Sequence, residues 1–227
     1  PVHEPSVIEG MGQFMFLMAS LILLFFVGVK DDIIGMSPMK KLIAHVMVGF
    51  ILVVMGGIKI TSFHGLLGMD IILPDYASIL LSIFIYIVIV NSINLIDGVD
   101  GLASGVGLTS TLAFGFWFAY LGDIHWALIS FSLSGALLGF LVFNFNPAKI
   151  FMGDSGSLII GAVISVLAIQ LIESPTEKLL ILGYQNVSTP VLAMSILAYP
   201  LLDTLRVFII RTLKGKSPLS ADRNHLH

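Results

Sequence analysis

The 227-residue sequence contains no cysteine. Disulfides and thiolate metal sites are thereby excluded, and any bound ion would meet carboxylate, amide or imidazole groups. Charge is also scarce, at 11% of residues, where a soluble domain has about 25%. The formal net charge of −3 leaves no overall basic footprint, so nucleic acid is not an implied partner. Internal repeats, low-complexity stretches and a separate soluble domain are absent as well.

What the chain has instead is apolar length. Hydrophobic residues make up 57% of it, above the roughly 45–50% of ordinary globular proteins. A helix crosses a hydrocarbon core about 30 Å thick with about 20 apolar residues. Long runs predict seven spans: Met11 to Val29, Leu42 to Ile58, Tyr76 to Ile96, Leu102 to Gly122, Ile124 to Phe145, Ser157 to Ile172, and Val187 to Ile210. The fold class is therefore all-α, a polytopic transmembrane helix bundle. Pro190, Pro200, Asp203 and Arg206 interrupt the last span and predict a kink. The longest loop between spans, Thr61 to Asp75, opens with a run that suits a small hairpin.

Alternation of seven spans puts Lys30, Lys40, Lys41, Lys149, Lys214, Lys216 and Arg223 on one side, with Arg206 and Arg211 at the same end of the last helix. Only Lys59 and Lys178 fall on the other. By the positive-inside rule the basic side is cytoplasmic. Asp31, Asp32, Asp97, Asp100, Asp154, Asp203 and Asp222 gather on that side too, and carboxylates crowded at helix ends point to a cation site.

Three segments and the tail carry the chemistry. Asp31 and Asp32 end the first helix, where acids oppose the macrodipole and repel each other unless something cationic compensates. Asn91, Asn94 and Asp97 recur every third residue and form a drifting polar stripe before Gly98, Asp100 and Gly101. A polar turn with glycine caps is the plainer reading of that run. Phe151-Met152-Gly153-Asp154-Ser155-Gly156-Ser157 joins the fifth and sixth spans; Asp154 there either caps a helix or holds a hard cation beside phosphate-binding N–H groups. The tail Asp222-Arg223-Asn224-His225-Leu226-His227 suits either anionic lipid or a diphosphate. His45 reads as a packed, hydrogen-bonded core residue, and His3, His64 and His125 as lying on the opposite side.

In order and sidedness, Asp31-Asp32, the Asn-x-x-Asn-x-x-Asp-Gly-x-Asp-Gly-Leu run, the Phe151 to Ser157 segment and His225-Leu226-His227 together resemble the polyprenyl-phosphate N-acetylhexosamine 1-phosphate transferase family. The resemblance implies a bacterial cytoplasmic-membrane enzyme with its active site on the cytoplasmic face. Its Mg²⁺ (or Mn²⁺) would assist a polyprenyl phosphate, such as undecaprenyl phosphate, in attacking a UDP-N-acetylhexosamine. UMP would leave, and a lipid-linked pyrophosphate sugar would form for cell-envelope polysaccharide synthesis.

By the same resemblance, Asp154 and Asn94 are metal ligands, and Asp100 with Phe151 holds uracil. Asp97 shapes the nucleotide site with Asn91 nearby. Asp31 and Asp32 lie near the acceptor phosphate and the metal, while His225, His227 and Arg223 meet the diphosphate. The His-hydrophobe-His tail is similar to that of the branch using UDP-N-acetylglucosamine, whereas UDP-N-acetylmuramoyl-pentapeptide enzymes place consecutive histidines there. Residues 1–227 are expected to be one membrane-embedded catalytic domain, truncated at both ends relative to full family members; a homodimer is left open. Asp97-x-x-Asp100-Gly101 also begins the CDP-alcohol phosphotransferase pattern, but Ala103-Ser104 and the lack of two later acids break it. The competing class is an ion-coupled transporter, whose site would lie near the bilayer midplane.

Overall fold

A computed structural model describes residues 7–69, 71–175, 178–179, 182–183 and 187–213. Arg223, His225 and His227 of the tail motif, like His3, lie outside the described residues.

The described chain is a helical bundle. Its elements are α1 (Val7–Ile34), α2 (Pro38–Phe50, continued by a π-helical turn, Ile51–Met55), α3 (Asp75–Leu95, continued by a 3₁₀ turn, Ile96–Gly98), α4 (Leu102–Tyr120), α5 (Ile124–Asn144), α6 (Gly153–Ile172), α7 (Thr189–Ile196) and α8 (Ala198–Leu213). Among the described residues six helices are long and apolar enough to cross a membrane, and α7 with α8 forms a pair bent by 75° that makes a seventh when the two are taken as one broken span. This is an integral membrane protein. The kink expected in the last span is thus a sharp break at Leu197, and Pro200 falls in the first turn of α8, where its missing N–H is tolerated.

Two boundaries differ from the sequence reading. α1 continues past Val29 to Ile34, so Asp31 and Asp32 lie inside its last turns. α6 begins at Gly153 rather than Ser157, so Asp154 belongs to a helical first turn instead of the preceding loop, and its side chain makes no capping bond there.

α6 is the axis of the bundle, buried along most of its length between α1, α3 and α4. Glycine permits two of these approaches. A Cβ on Gly28 of α1 would sit 2.4 Å from the Ser155 Cα, and one on Gly161 of α6 would sit 2.8 Å from the Val90 Cα of α3. Backbone therefore meets backbone at both places, an arrangement in which close van der Waals packing replaces the hydrophobic driving force that lipid does not supply. The outward faces of α1, α2 and α5 expose Phe25, Phe26, Met47, Phe50, Leu128 and Val142, as a lipid-facing surface requires.

The loop between α2 and α3 is hairpin-like, with one antiparallel bridge between Ser62 and Ile72. His45 is buried in α2 against Tyr86, with ring centroids 6.4 Å apart. Neither of its ring nitrogens has a partner among the described residues, so it is a packed core residue but not the hydrogen-bonded one expected.

Candidate active site

At one end of the bundle the last turns of α1, the start of α2, the end of α3 and the start of α6 converge. The turn of Gly35 to Ser37 reverses the chain, with Gly35 at φ 72°, and folds α2 back along α1. Lys41, in the first turns of α2, then faces Asp31, and its Nζ lies 3.0 Å from the Asp31 Oδ2. The same ammonium donates to the Asp154 Oδ2 at 2.6 Å and to the Asn94 Oδ1 at 3.3 Å. Four helices thus meet around one cation.

Asn94 is the pivot on α3. Its Nδ2 donates to the Asp154 Oδ1 at 2.5 Å and to the Ser157 Oγ at 2.8 Å, tying α3 to the first turn of α6. Asn91 turns away from this cluster and donates to the Ile87 carbonyl of its own helix at 2.8 Å, so the polar stripe reaches the cluster through Asn94. Asp97, on the 3₁₀ turn after α3, is partly buried and lies close to Asp154 and Asp32.

The two acids of α1 have different partners. Asp31 turns back on the chain, where its Oδ1 accepts the Met36 N–H at 2.6 Å. Asp32 reaches across to α6, accepting the Asp154 N–H at 2.8 Å on Oδ1 and the Ser155 N–H at 3.1 Å on Oδ2. The compensation that adjacent acids at a helix C-terminus need is therefore supplied by the Lys41 ammonium and by the positive N-terminus of α6. Gly153 makes this fit possible. It has φ 65°, and a Cβ there would lie 2.9 Å from the Asp32 Oδ2.

A second set of bonds fixes the neighbouring loops. The Asp100 Oδ2 accepts the Ala148 N–H at 2.9 Å. Asn144, buried at the end of α5, accepts from the Gly101 N–H at 3.2 Å and the Ser104 hydroxyl at 2.7 Å, and donates to the Ile150 carbonyl at 3.0 Å. These bonds hold the segment before α6 against the start of α4 and leave Phe151 79% exposed beside the cluster. An exposed aromatic face next to a lysine and a group of acids is suited to a nucleotide, whose base can stack while its phosphates meet a cation.

The structure therefore brings together Asp31, Asp32, Asn94, Asp97 and Asp154, and places Asp100 and Phe151 on the adjoining loops. The sequence reading missed Lys41, which it counted only toward sidedness, and also Ser157 and Asn144 as tethers. Nothing along the chain marked Lys41, which faces Asp31 only once α2 folds back on α1.

The donor set suits a small hard cation. Asp31, Asp154 and Asn94 present oxygens to one point, and a cation, the Lys41 ammonium, already stands there. Among the described residues no three acidic or imidazole side chains form a closed cage. Two carboxylates and an amide oxygen match Mg²⁺, which keeps several waters and shares itself with substrate phosphates.

Residues 14–172 match the family model described as Glycosyl transferase family 4. The chain is 36% identical over 218 residues to the decaprenyl-phosphate N-acetylglucosaminephosphotransferase of Mycolicibacterium smegmatis, an alignment covering 90% of this chain and 53% of that protein. It is 36% identical over 214 residues to the Mycobacterium tuberculosis H37Rv protein of the same description, covering 88% and 52%. With the undecaprenyl-phosphate alpha-N-acetylglucosaminyl 1-phosphate transferase of Escherichia coli K12 the identity is 29% over 209 residues, covering 90% and 54%. The chain spans about half the length of the curated relatives it matches.

Proposed function

This chain belongs to glycosyl transferase family 4, and from that premise we propose that it forms the membrane-embedded catalytic part of a transferase that moves N-acetylglucosamine 1-phosphate from UDP-N-acetylglucosamine to a polyprenyl phosphate. The observation that carries this reading is the convergence of Asp31, Asn94 and Asp154, from three helices, on the Lys41 cation at one membrane face. A soluble nucleotide and a membrane lipid can meet only at such a face. A transporter would instead hold its polar site near the midplane.

In this reading an acceptor phosphate oxygen attacks the β-phosphorus of the UDP-sugar; the bond from that phosphorus to the bridging oxygen breaks, and UMP leaves. Both reactants are anionic, so charge neutralisation and alignment are what the protein must supply. Asp154, Asn94 and Asp31 would hold Mg²⁺, which when bound neutralises phosphate charge. Lys41, whose ammonium meets the same three oxygens in the structure, would yield them to the ion and turn its charge to the phosphates. Asp32 holds the first turn of α6 through the Asp154 and Ser155 N–H groups, so that the Asp154 side chain faces the diphosphate. Asp100 and Asn144 fix the loop that presents Phe151 to the uracil, and Asp97 borders the nucleotide. Arg223, His225 and His227 supply further groups toward the diphosphate, and the site lies on the cytoplasmic face of a bacterial inner membrane.

The acceptor's chain has a matching seat. An apolar cavity of about 260 Å³ lies between α3, α6 and the broken span, toward the other membrane face. It supports a prenyl tail running along α3 while the phosphate stays at the charged end.

The test is a donor panel with purified full-length protein, Mg²⁺ and undecaprenyl phosphate. UDP-N-acetylglucosamine should release UMP and yield a lipid-linked product, whereas UDP-N-acetylmuramoyl-pentapeptide should not. Turnover with the pentapeptide donor alone would overturn the donor assignment, and UMP release with neither donor would overturn the reaction.

A further inference from the structure

On the face opposite the site, the chain leaving α2 crosses the ends of α3 and α6 as a strap, residues 59–66. Ile60 is fixed to α3 through both backbone groups: its N–H donates to the Ser82 Oγ at 2.8 Å and its carbonyl accepts from the Ser78 Oγ at 2.5 Å. Thr61 is fixed to the end of α6, its N–H donating to the Glu173 Oε1 at 2.9 Å and its hydroxyl to the Glu173 Oε2 at 2.7 Å. His64 adds a contact of 2.6 Å between its Nε2 and the Glu173 Oε1. Lys59 pairs with Asp75 at the start of α3. Glu173 thus holds the strap at three points with one carboxylate.

Beneath the strap is the apolar cavity. Phe63 and Leu66 close it from the strap, Phe84 and Ile85 from α3, Ile172 from α6 and Leu197 at the break in the last span. Glu173 immediately follows Ile172, so the clasp and the cavity wall share one turn of chain. The cavity runs from the middle of α3, at Ile89, to Leu81 nearer its start and to the far end of α6, the helices that carry Asn94 and Asp154 at the charged end.

We propose that the Glu173 clasp is a specificity determinant for acceptor chain length, holding Phe63 and Leu66 down over the distal part of a long prenyl chain. This rests on reading the acceptor as a polyprenyl phosphate. Chain reach decides which acceptors feel it. Along α3, Ile85 and Leu81 are nine and thirteen residues from Asn94, which at about 1.5 Å per residue is roughly 14–20 Å. A two-isoprene phosphate has eight main-chain carbons and, at about 1.5 Å per bond, extends at most ~12 Å. It reaches the near wall of the cavity at Val88 and Ile89 but ends short of the strap, whose Ile60 is bonded to Ser82 and Ser78, whereas a chain several times longer passes beneath Phe63 and Leu66. Glu173 therefore acts as a positioning residue for long acceptors, from the membrane face opposite the chemistry. Glutamine in its place keeps one acceptor oxygen, turns the other into a donor and loses the charge, so the threefold grip weakens.

The experiment compares wild type, Glu173→Gln and Phe63→Ala in full-length protein in nanodiscs of one lipid composition. Each variant should raise KM for undecaprenyl phosphate by about tenfold, while KM for UDP-N-acetylglucosamine and kcat/KM for the two-isoprene acceptor stay within about twofold. An equal effect on both acceptors, or none on either, overturns the proposal. Direct binding of undecaprenyl phosphate, read by competition with a fluorescent prenyl probe, separates this from failure of the functional reading. If wild type transfers nothing, the reaction is refuted, yet binding weakened by Glu173→Gln still supports the clasp. Competition by a diacyl phosphate as strong as by undecaprenyl phosphate makes the cavity an ordinary lipid seat and overturns it.

Discussion

The Asp32 carboxylate caps a helix to which it does not belong: its Oδ1 lies 2.8 Å from the backbone nitrogen of Asp154, 122 residues later in the chain. Two unsatisfied N–H groups at the start of α6 are thereby satisfied from the end of α1, and the metal-binding candidate on α6 is aimed by an acid on α1.

Replacing Asp32 with alanine should cost about 1 kcal/mol of stability, as loss of an N-cap does. Activity should fall much further, because the first turn of α6 carries Asp154. A thermal-unfolding series beside UMP-release kinetics checks both halves; wild-type turnover in a folded Asp32→Ala protein would deny the aiming role.

Asp154→Asn should abolish transfer with little loss of folding, since a neutral amide is a poor ligand for a hard cation. Lys41→Met should also lower turnover, by at least about 100-fold, because it removes the charge at the point where Asp31, Asn94 and Asp154 converge. The two variants should differ in Mg²⁺ titrations: Asp154→Asn should lose metal dependence together with activity, and Lys41→Met should retain it in its residual rate.

Acid should release the strap. Burial alone would raise the Glu173 carboxyl, but the hydrogen bonds from His64 and Thr61 outweigh it and hold the group below its ordinary 4.5. A carboxyl depressed on folding stabilises the folded arrangement above the unfolded value, and that contribution fades as pH falls through the folded one. Amide exchange at Thr61, corrected for its intrinsic pH dependence, should therefore lose protection below pH 4.5, and Glu173→Gln should remove the dependence.

Cysteine introduced at Ser37 should react with an impermeant thiol reagent only from the cytoplasmic side, and cysteine at Gly65 only from the other. Reversed labelling would turn the proposed sidedness over.

The spans were legible because apolar runs of about 20 residues have few alternatives in a chain with so little charge. Their ends were less so, for a physical reason. Gly153 to Gly156 reads as a turn from its glycines, and its helical start depends on Asp32, a partner no local window contains. Asn94 and Asp154 could be picked out as chemistry-bearing residues, but Lys41 could not, since its side chain acquires meaning only when α2 folds back on α1. The clasp of Glu173 on Thr61 and His64 joins residues 112 and 109 positions apart and left no pattern along the chain.

The glycine-mediated contacts of α6 have a further consequence. Gly28 and Gly161 let the backbones of α1, α6 and α3 touch directly, which ties together the three helices carrying Asp31, Asp32, Asn94 and Asp154. A bilayer too thick or too thin for the protein is accommodated by tilting helices at modest cost. Such tilts are left to the lipid-exposed α2 and α5 and to the broken span. The acidic constellation should keep its spacing across membranes of different thickness, while the cavity against the broken span changes shape with them.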